Sequence, residues 1–343
     1  MKIGIDISQI VYGGGVSVYT KNLVENLLKI DKKNEYIFFF SSFRKKIPTL
    51  KLQFSNFQIR NFKFPPTILD FLWNKLHILP IESLIGKVDV FHTSDWLEPP
   101  ARCFKVTTIH DLTPFIYPED VHPKIRAVHQ RKLEWVKKES KLIIAVSHST
   151  KRDIVKILGI PNERIRVIYE GVDLKKFKIQ SSKFKIEEIK KKYKIKGEYF
   201  LAFAGPKRKN LERIKKAVKG FNLFVIGQPY VEEQDLPFLY KGALGLIYAS
   251  TYEGFGLPIL EAQACGCPVI TSNISSMPEV AGEGAILVNP FLIGDIKRGI
   301  KKLVENKKFK EELIKKGLEN VKRFSWEKTA QETLKVYEEA IKC

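Results

Sequence analysis

Residues 251–273 read TYEGFGLPILEAQACGCPVITSN. The apolar run LGLIYAS precedes this stretch, a turn carrying Gly254, Gly256 and Pro258 opens it, the helical pattern PILEAQA follows, and PVITSN closes it as a second apolar run. Short, continuous apolar runs bounded by glycine and proline read as buried strands, and strands of this kind alternating with helices belong to parallel sheets covered on both faces. The same stretch sets two carboxylates around the turn. Glu253 stands ahead of it, and Glu261 is expected within the first helical turn after it, where the backbone favours anions.

The alternation extends over the whole chain. KIGIDI, YIFFFS, FQIRNF, VDVFHT, KVTTIHD, KLIIAVS and RIRVIYEGV form a first series of strand candidates, separated by helical patterns such as VSVYTKNLVENLLK with Val16, Tyr19, Leu23 and Leu27 on one face. YFLAFAG, LFVIG, LGLIYAS, PVITSN and AILVNP form a second series after the charged segment 175–198. Two series imply an α/β protein with two doubly wound, Rossmann-like domains facing each other across a cleft. Residues 1–174 would form the first domain and 175–324 the second, with the helix 325–343 packing back on the first. There is no internal repeat and no low-complexity segment.

Composition narrows the function classes. A chain of 343 residues with 44% hydrophobic content can bury two cores. No run approaches the ~18 apolar residues a spanning helix needs, and MKIGIDI opens as a strand rather than a signal peptide, so a cytoplasmic protein is expected. Cys103, Cys265, Cys267 and Cys343 give no disulfide framework, and the C-x-C of Cys265 and Cys267 has no second ligand pair, so no metal site is expected. The net charge of +21 suits phosphorylated substrates or an anionic membrane surface. Nucleic acid is not an expected partner, since no motif for it accompanies the lysines, which interleave with glutamates as on a solvated helix face.

In open parallel sheets, ligands bind beyond the carboxyl ends of the strands. Four clusters occupy such positions: Gly13, Gly14 and Gly15; His110 and Asp111; Lys207 to Asn210; and Glu253 to Leu257. Glycines at 254 and 256 let a backbone approach a ligand, Pro258 suits a first helical position, and the helix amides behind them favour phosphate. Arg208 and Lys209 supply cations nearby. Glu261 can accept two hydrogen bonds from a ribose diol, and Glu253 can accept hydroxyls beyond the phosphates. Diol, diphosphate and polyol in sequence describe a nucleotide sugar.

YEGFGLPILEAQACGCPVITSNISSMPEVAGEGAILVNP resembles the donor-site motif of the retaining glycosyltransferases of family 4, which have the GT-B fold. YGGGVSVYTKNL, VFHTSD, TTIHDLTPFIYPE, IIAVSHSTKRDI, RIRVIYEGVD, FAGPKRKN and FSWEKTAQETLKVYEEA agree in order, so the resemblance covers nearly the whole chain. It implies an enzyme, a hexosyltransferase, in which Glu261 binds the donor ribose and Glu253 the donor sugar. The backbone of Gly254, Phe255, Gly256 and Leu257 would meet sugar or diphosphate, Arg208 and Lys209 would neutralise the leaving diphosphate, Gly14 and Gly15 would admit phosphate and acceptor, and His110 would lie beside the donor sugar. Two departures stand out. AGPKRKN is two residues shorter than its counterparts, which leaves Lys207 or Arg208 for the arginine's usual place. VIGQPYVEEQDLPFLY lacks a helix and strand, so five strands are expected in the second domain where the family has six.

The resemblance also implies retention of configuration. A metal-independent reaction is expected, since no D-x-D occurs and Arg208, Lys209 and a helix N-terminus can stabilise the leaving charge. No cofactor is expected beyond the nucleotide sugar. A front-face path, with the departing phosphate taking the acceptor proton, needs no nucleophile, and a covalent intermediate on a carboxylate is the alternative. The motif style leans towards GDP-mannose or another hexose donor, with UDP-sugars still open, and a glycan or lipid-linked acceptor would meet the first domain, where PPTILDFLWNKLHILP is apolar with scattered cations. A nicotinamide fingerprint fails at Val18, and no P-loop is present. A nucleotide-sugar epimerase and a non-catalytic glycan-, lipid- or partner-binding protein are the alternatives, the shortened domain favouring the latter.

Overall fold

The computed structural model describes residues 1–47, 55–93, 95–177 and 183–342. The chain divides into two compact units, Met1–Gly171 with Trp326–Cys343, and Val172–Ser325.

The first unit is built on a seven-stranded sheet, every pairing parallel, of β1 (Lys2–Asp6), β2 (Glu35–Ser41), β3 (Phe57–Phe62), β4 (Val90–Thr93), β5 (Phe104–Ile109), β6 (Ser140–Ala145) and β7 (Ile165–Val167) in the order β3-β2-β1-β4-β5-β6-β7. Its central strands are apolar without alternation because both faces are covered, so Ile3, Ile5, Phe38, Val90, Phe91 and Val106 are all buried. The edge strand β3 instead exposes Arg60 and Asn61, which blunts it against pairing with another chain. Helix Gly14–Ile30 buries Tyr19, Leu23 and Leu27 on the expected face and packs against helix Trp326–Lys342, so the C-terminal segment belongs to this unit. Within PPTILDFLWNKLHILP, Leu69 and Trp73 fill the core while Ile68, Phe71, Leu76 and Ile78 are each about half exposed. The segment is amphipathic, with a short helix Pro66–Leu69 running into a π-helical turn Asp70–Lys75.

After β6 the chain turns into helix His148–Asp153, and the buried Ser147 caps it by accepting the Thr150 amide at 3.0 Å. Ser147→Ala is expected to lower stability by about 1 kcal/mol, the usual cost of a lost N-cap. Urea unfolding checks this as a lower midpoint with an unchanged slope.

The second unit carries a five-stranded parallel sheet of β8 (Tyr199–Phe203), β9 (Asn222–Ile226), β10 (Gly245–Tyr248), β11 (Val269–Ser272) and β12 (Ala285–Val288), ordered β12-β11-β10-β8-β9. These are the five strands that the sequence pattern predicts. Phe200, Ile214, Ile247, Ile270, Ile296 and Leu303 form part of its core. Glycine permits one close approach here: a Cβ on Gly284 would lie 2.5 Å from the Gly317 Cα.

Candidate functional site

Strand order reverses direction once in each sheet, and the crevice at such a switch point is where open α/β sheets bind ligands. In the second unit the reversal falls between β8 and β10. The loops leaving those strands are Ala204–Asn210 and Ala249–Gly256, which hold most of the residues expected to contact a donor.

Asn210 fixes the first loop. It takes a left-handed conformation with φ of 60°, which asparagine tolerates better than most residues, and its side-chain amide donates to the carbonyls of Ala249 (2.9 Å) and Pro290 (2.7 Å). Gly205 leaves room for the lysine stem, since a Cβ there would sit 2.8 Å from Lys209 Cγ. Lys209 is thereby aimed along the switch point, where its Nζ donates to Glu253 Oε1 and to the Tyr248 hydroxyl, each at 2.7 Å. The ammonium also lies 4.8 Å from the centre of the Tyr248 ring. Burial, reinforced by the Glu253 charge, raises the Tyr248 phenol far above its ordinary pKa, so it stays a neutral partner. An ammonium has three donors, and two are engaged among the described residues, which leaves one for an anionic ligand. The lysine and glutamate side chains are 18% and 10% exposed, dry enough for the pair to matter and open enough for a ligand to reach it. Arg208 contributes its carbonyl to the same scaffold by accepting the Thr251 amide at 2.8 Å.

The turn after Glu253 is held from the segment that follows β11. Ser275 Oγ donates to the Glu253 carbonyl at 2.6 Å, and the Ser276 hydroxyl lies within hydrogen-bonding distance of the carbonyls of Glu253 and Phe255. Phe255 is buried with its ring against Phe324, which keeps its side chain out of reach of a ligand. Gly256, at φ of 113°, forms the N-cap of helix Leu257–Ala264, a conformation that favours glycine.

Two expectations about this turn need correction. Pro258 occupies the second helical position rather than the first, and Glu261 is the fifth helical residue, beyond the first turn. Gly256 takes the cap and starts the helix at Leu257, one residue earlier than expected, which places Glu261 just beyond the first turn and away from the terminal amides. The Ile259 amide is itself satisfied by the Gly256 carbonyl at 3.0 Å. Glu261 instead accepts the Tyr240 hydroxyl at 2.8 Å. Burial raises its pKa, and the Tyr240 hydrogen bond and the nearby Lys176 offset this in part.

The first unit holds a separate group. Gly13 and Gly14, both at φ of 78°, bring the chain from the segment after β1 into helix Gly14–Ile30, and a Cβ on Gly13, Gly14 or Gly15 would meet nothing within 4 Å. Backbone conformation, rather than lack of space, requires the first two glycines. His110 follows β5, and its Nδ1 lies 3.1 Å from Glu170 Oε1. The Tyr19 ring meets it edge-on at 4.6 Å, and the Tyr19 hydroxyl pairs with Thr108 at 3.0 Å. Thr108 also contacts His92 at 2.9 Å, and His92 reaches the Tyr337 hydroxyl at 2.6 Å. A cavity of about 350 Å³ lies in this unit, walled by Tyr12, Leu69, Trp96, Leu97, Ile125 and Val128 with Lys124 among its lining.

Lys209 and Glu253 are brought together directly, Arg208 and the turn Gly254–Leu257 lie on the same two loops, and Glu261 stands on the helix that follows. Tyr248, Tyr240, Ser275, Ser276 and Glu170 were not singled out from the sequence. Tyr248 carried a usable signal as the last residue of a strand pointing at the switch point, and Ser275 and Ser276 follow the strand PVITSN. Tyr240 and Glu170 offered none, because their contacts join distant segments. No cluster of His, Cys, Asp or Glu suited to a metal occurs among the described residues, and none of their helices is long and apolar enough to cross a membrane.

Comparison with known proteins follows the same division. The family model described as "Glycosyl transferases group 1" matches residues 150–320, and that described as "Glycosyltransferase Family 4" matches residues 13–176. The chain is 29% identical to the O-antigen chain mannosyltransferase B of Escherichia coli over 72% of this chain and 74% of that protein. Among solved structures it is similar to sucrose-phosphate synthase from Thermosynechococcus elongatus, with a TM-score of 0.74 at 18% identity, covering 99% of this chain and 98% of that one. Anabaena HepE in complex with UDP-glucose matches with a TM-score of 0.70 at 15% identity over 99% of this chain and 100% of that one.

Proposed function

We propose that this chain, which belongs to the group 1 glycosyltransferases of family 4 and has the GT-B fold, transfers mannose from a nucleoside diphosphate sugar to a glycan or lipid-linked acceptor. The observation that carries the reading is Lys209 held between Glu253 and Tyr248 at the switch point of the second sheet. Transfer of a glycosyl group requires a nucleoside diphosphate to leave as an anion while the anomeric carbon becomes cationic. A fixed ammonium with one unused donor stabilises the first charge at no cost in reorganisation. Arg208, on the same loop, adds a second cation, and the pair makes a metal unnecessary. Glu253 faces the sugar hydroxyls, and Glu261 accepts the ribose diol with Tyr240 steadying its free rotation.

Retention follows from a front-face path in which the departing phosphate receives the acceptor proton. The acceptor belongs to the first unit. Its cavity has mostly apolar walls and is large enough for a small ligand, which supports an acceptor with an apolar portion. The half-exposed Ile68, Phe71, Leu76 and Ile78 support contact with a lipid-linked acceptor or an anionic membrane surface at the inner face of the cell membrane. Membership in a transferase family sets the epimerase reading aside, and the intact Lys209–Glu253 pair favours catalysis over a non-catalytic binding role.

Mannose is supported by the Escherichia coli relative, which is named as a mannosyltransferase. Label transfer or nucleotide release from GDP-mannose, UDP-glucose and ADP-glucose, measured side by side, tests it. Consumption of GDP-mannose above the others is expected, and a preference for a UDP-hexose would overturn the mannosyl assignment.

Glu261→Ala is expected to weaken nucleotide binding by about 1.5–3 kcal/mol, the range for hydrogen bonds to a charged group, or roughly tenfold to a hundredfold. Calorimetric titration of the nucleoside diphosphate checks it, and an unchanged dissociation constant would remove Glu261 from the site.

A further inference from the structure

His110 and Glu170 stand 60 residues apart in sequence, yet the turns after β5 and β7 bring them into contact at the carboxyl end of the first sheet. Both are largely buried, the histidine side chain 12% exposed and the glutamate 5%. The His110 ring is the one hydrogen-bonding partner of the Glu170 carboxylate among the described residues. The histidine is fixed at two further points: Thr150 Oγ1 donates to its carbonyl at 3.4 Å, and Tyr19 packs edge-on against its ring at 4.6 Å. Its other nitrogen, Nε2, has no protein partner among the described residues. A carboxylate so nearly dry is costly unless it is paired, and a packed apolar side chain would fill the space more stably. The arrangement instead engages one ring nitrogen and leaves the other without a protein partner among the described residues.

We propose that Glu170 is a positioning residue for glycosyl transfer: it accepts the Nδ1–H of His110, fixes the ring's tautomer and orientation, and leaves Nε2 as the atom presented to substrate. This rests on the reading that His110 takes part in transfer. The hydrogen bond sets the role of the far nitrogen, which accepts from a sugar hydroxyl when the ring is neutral and donates to an oxygen when the ring is charged. Burial pushes the His110 pKa down, but the hydrogen bond and charge of Glu170, with the charges of Asp95 and Asp111, outweigh it, and the net shift is upward. The other titratable groups near the ring are Tyr19, raised by burial, and His92, lowered to about 3, so both are neutral around pH 7. Glu170 therefore also extends the pH range over which Nε2 carries a proton.

The test compares wild type, Glu170→Gln, Glu170→Asp and His110→Ala, using the nucleotide sugar that wild type turns over. Glu170→Gln is expected to lower kcat about 10- to 100-fold, the usual effect of removing the partner that orients a working histidine, with KM little changed. It should also move the alkaline limb of the kcat/KM profile to lower pH, and Glu170→Asp should restore part of the loss. Nitrogen-15 spectra of the His110 ring should show a lower pKa and a loss of the single Nδ1–H tautomer in Glu170→Gln. Binding of the nucleoside diphosphate, unchanged, would establish that the variant is folded. An inactive His110→Ala beside a Glu170→Gln with the wild-type pH profile and ring tautomer would overturn the proposal. Wild-type turnover in His110→Ala would remove His110 from the reaction, and the role of Glu170 with it.

Discussion

Replacing Lys209 by methionine should lower kcat by about 10²–10³, equivalent to roughly 2.7–4 kcal/mol, the loss seen when one preorganised donor to a developing anion is removed. Methionine keeps most of the stem that passes over Gly205 and removes only the charge. The expected signature is a fall in kcat larger than the rise in KM, because the leaving diphosphate gains charge only as the bond breaks. Folding should suffer as well. Glu253 would lose its cation in a site where it is 10% exposed, at a cost of about 1–3 kcal/mol. A second substitution, Glu253→Gln, removes the stranded charge, so the double variant should recover stability without recovering turnover. Steady-state kinetics and urea unfolding on the three variants separate the two effects. Full activity in Lys209→Met would take the cation out of the mechanism.

A second large effect concerns acid stability. His92 is buried and bonded on both ring nitrogens, to Tyr337 and Thr108, and its pKa falls to about 3, chiefly through burial and also through the nearby charges of Lys132 and His110. The folded protein therefore refuses a proton that the unfolded chain takes up near pH 6.5. The stability this residue contributes is complete above pH 6.5 and is lost as pH falls towards 3, by up to about 1.4 kcal/mol per pH unit. Between pH 7 and pH 4.5 it accounts for a loss of about 2–3 kcal/mol. His110, with its raised pKa, acts in the opposite sense, so the comparison that isolates His92 is wild type against His92→Asn. Urea midpoints for the variant should fall less steeply below pH 6.5, even if its stability at pH 7 is lower. Parallel acid limbs would show that His92 titrates normally.

The sheets were legible because a parallel sheet covered on both faces needs strands that are apolar without interruption. LGLIYAS, PVITSN and KLIIAVS satisfy that requirement within a few residues and need no tertiary information. Lys209 and Glu253 were legible for a related reason: each follows a strand, and topology brings the ends of neighbouring strands together. The position of Glu261 was misjudged because a glycine turn can start its helix at any of several residues, and here Gly256 at φ of 113° fixes the start at Leu257. Tyr240 and Glu170 were not legible at all. Tyr240 reaches Glu261 from 21 residues away and Glu170 reaches His110 from 60, and pairings of that kind depend on how helices and loops settle on the sheets. The shortened segment after β9 could be seen in the sequence as a missing strand, and the second sheet has five strands.

Thermal unfolding of the purified protein with UDP, GDP, ADP and their common sugar conjugates tests the donor site most directly. A nucleotide at 100-fold its dissociation constant stabilises a protein by about 2.7 kcal/mol, enough to move the midpoint visibly. One nucleoside diphosphate is expected to raise the midpoint, with the response clearly reduced in Glu261→Ala and Lys209→Met. No response to any of them from a well-folded sample, or a response that both variants retain in full, would contradict a donor site built on Lys209, Glu253 and Glu261.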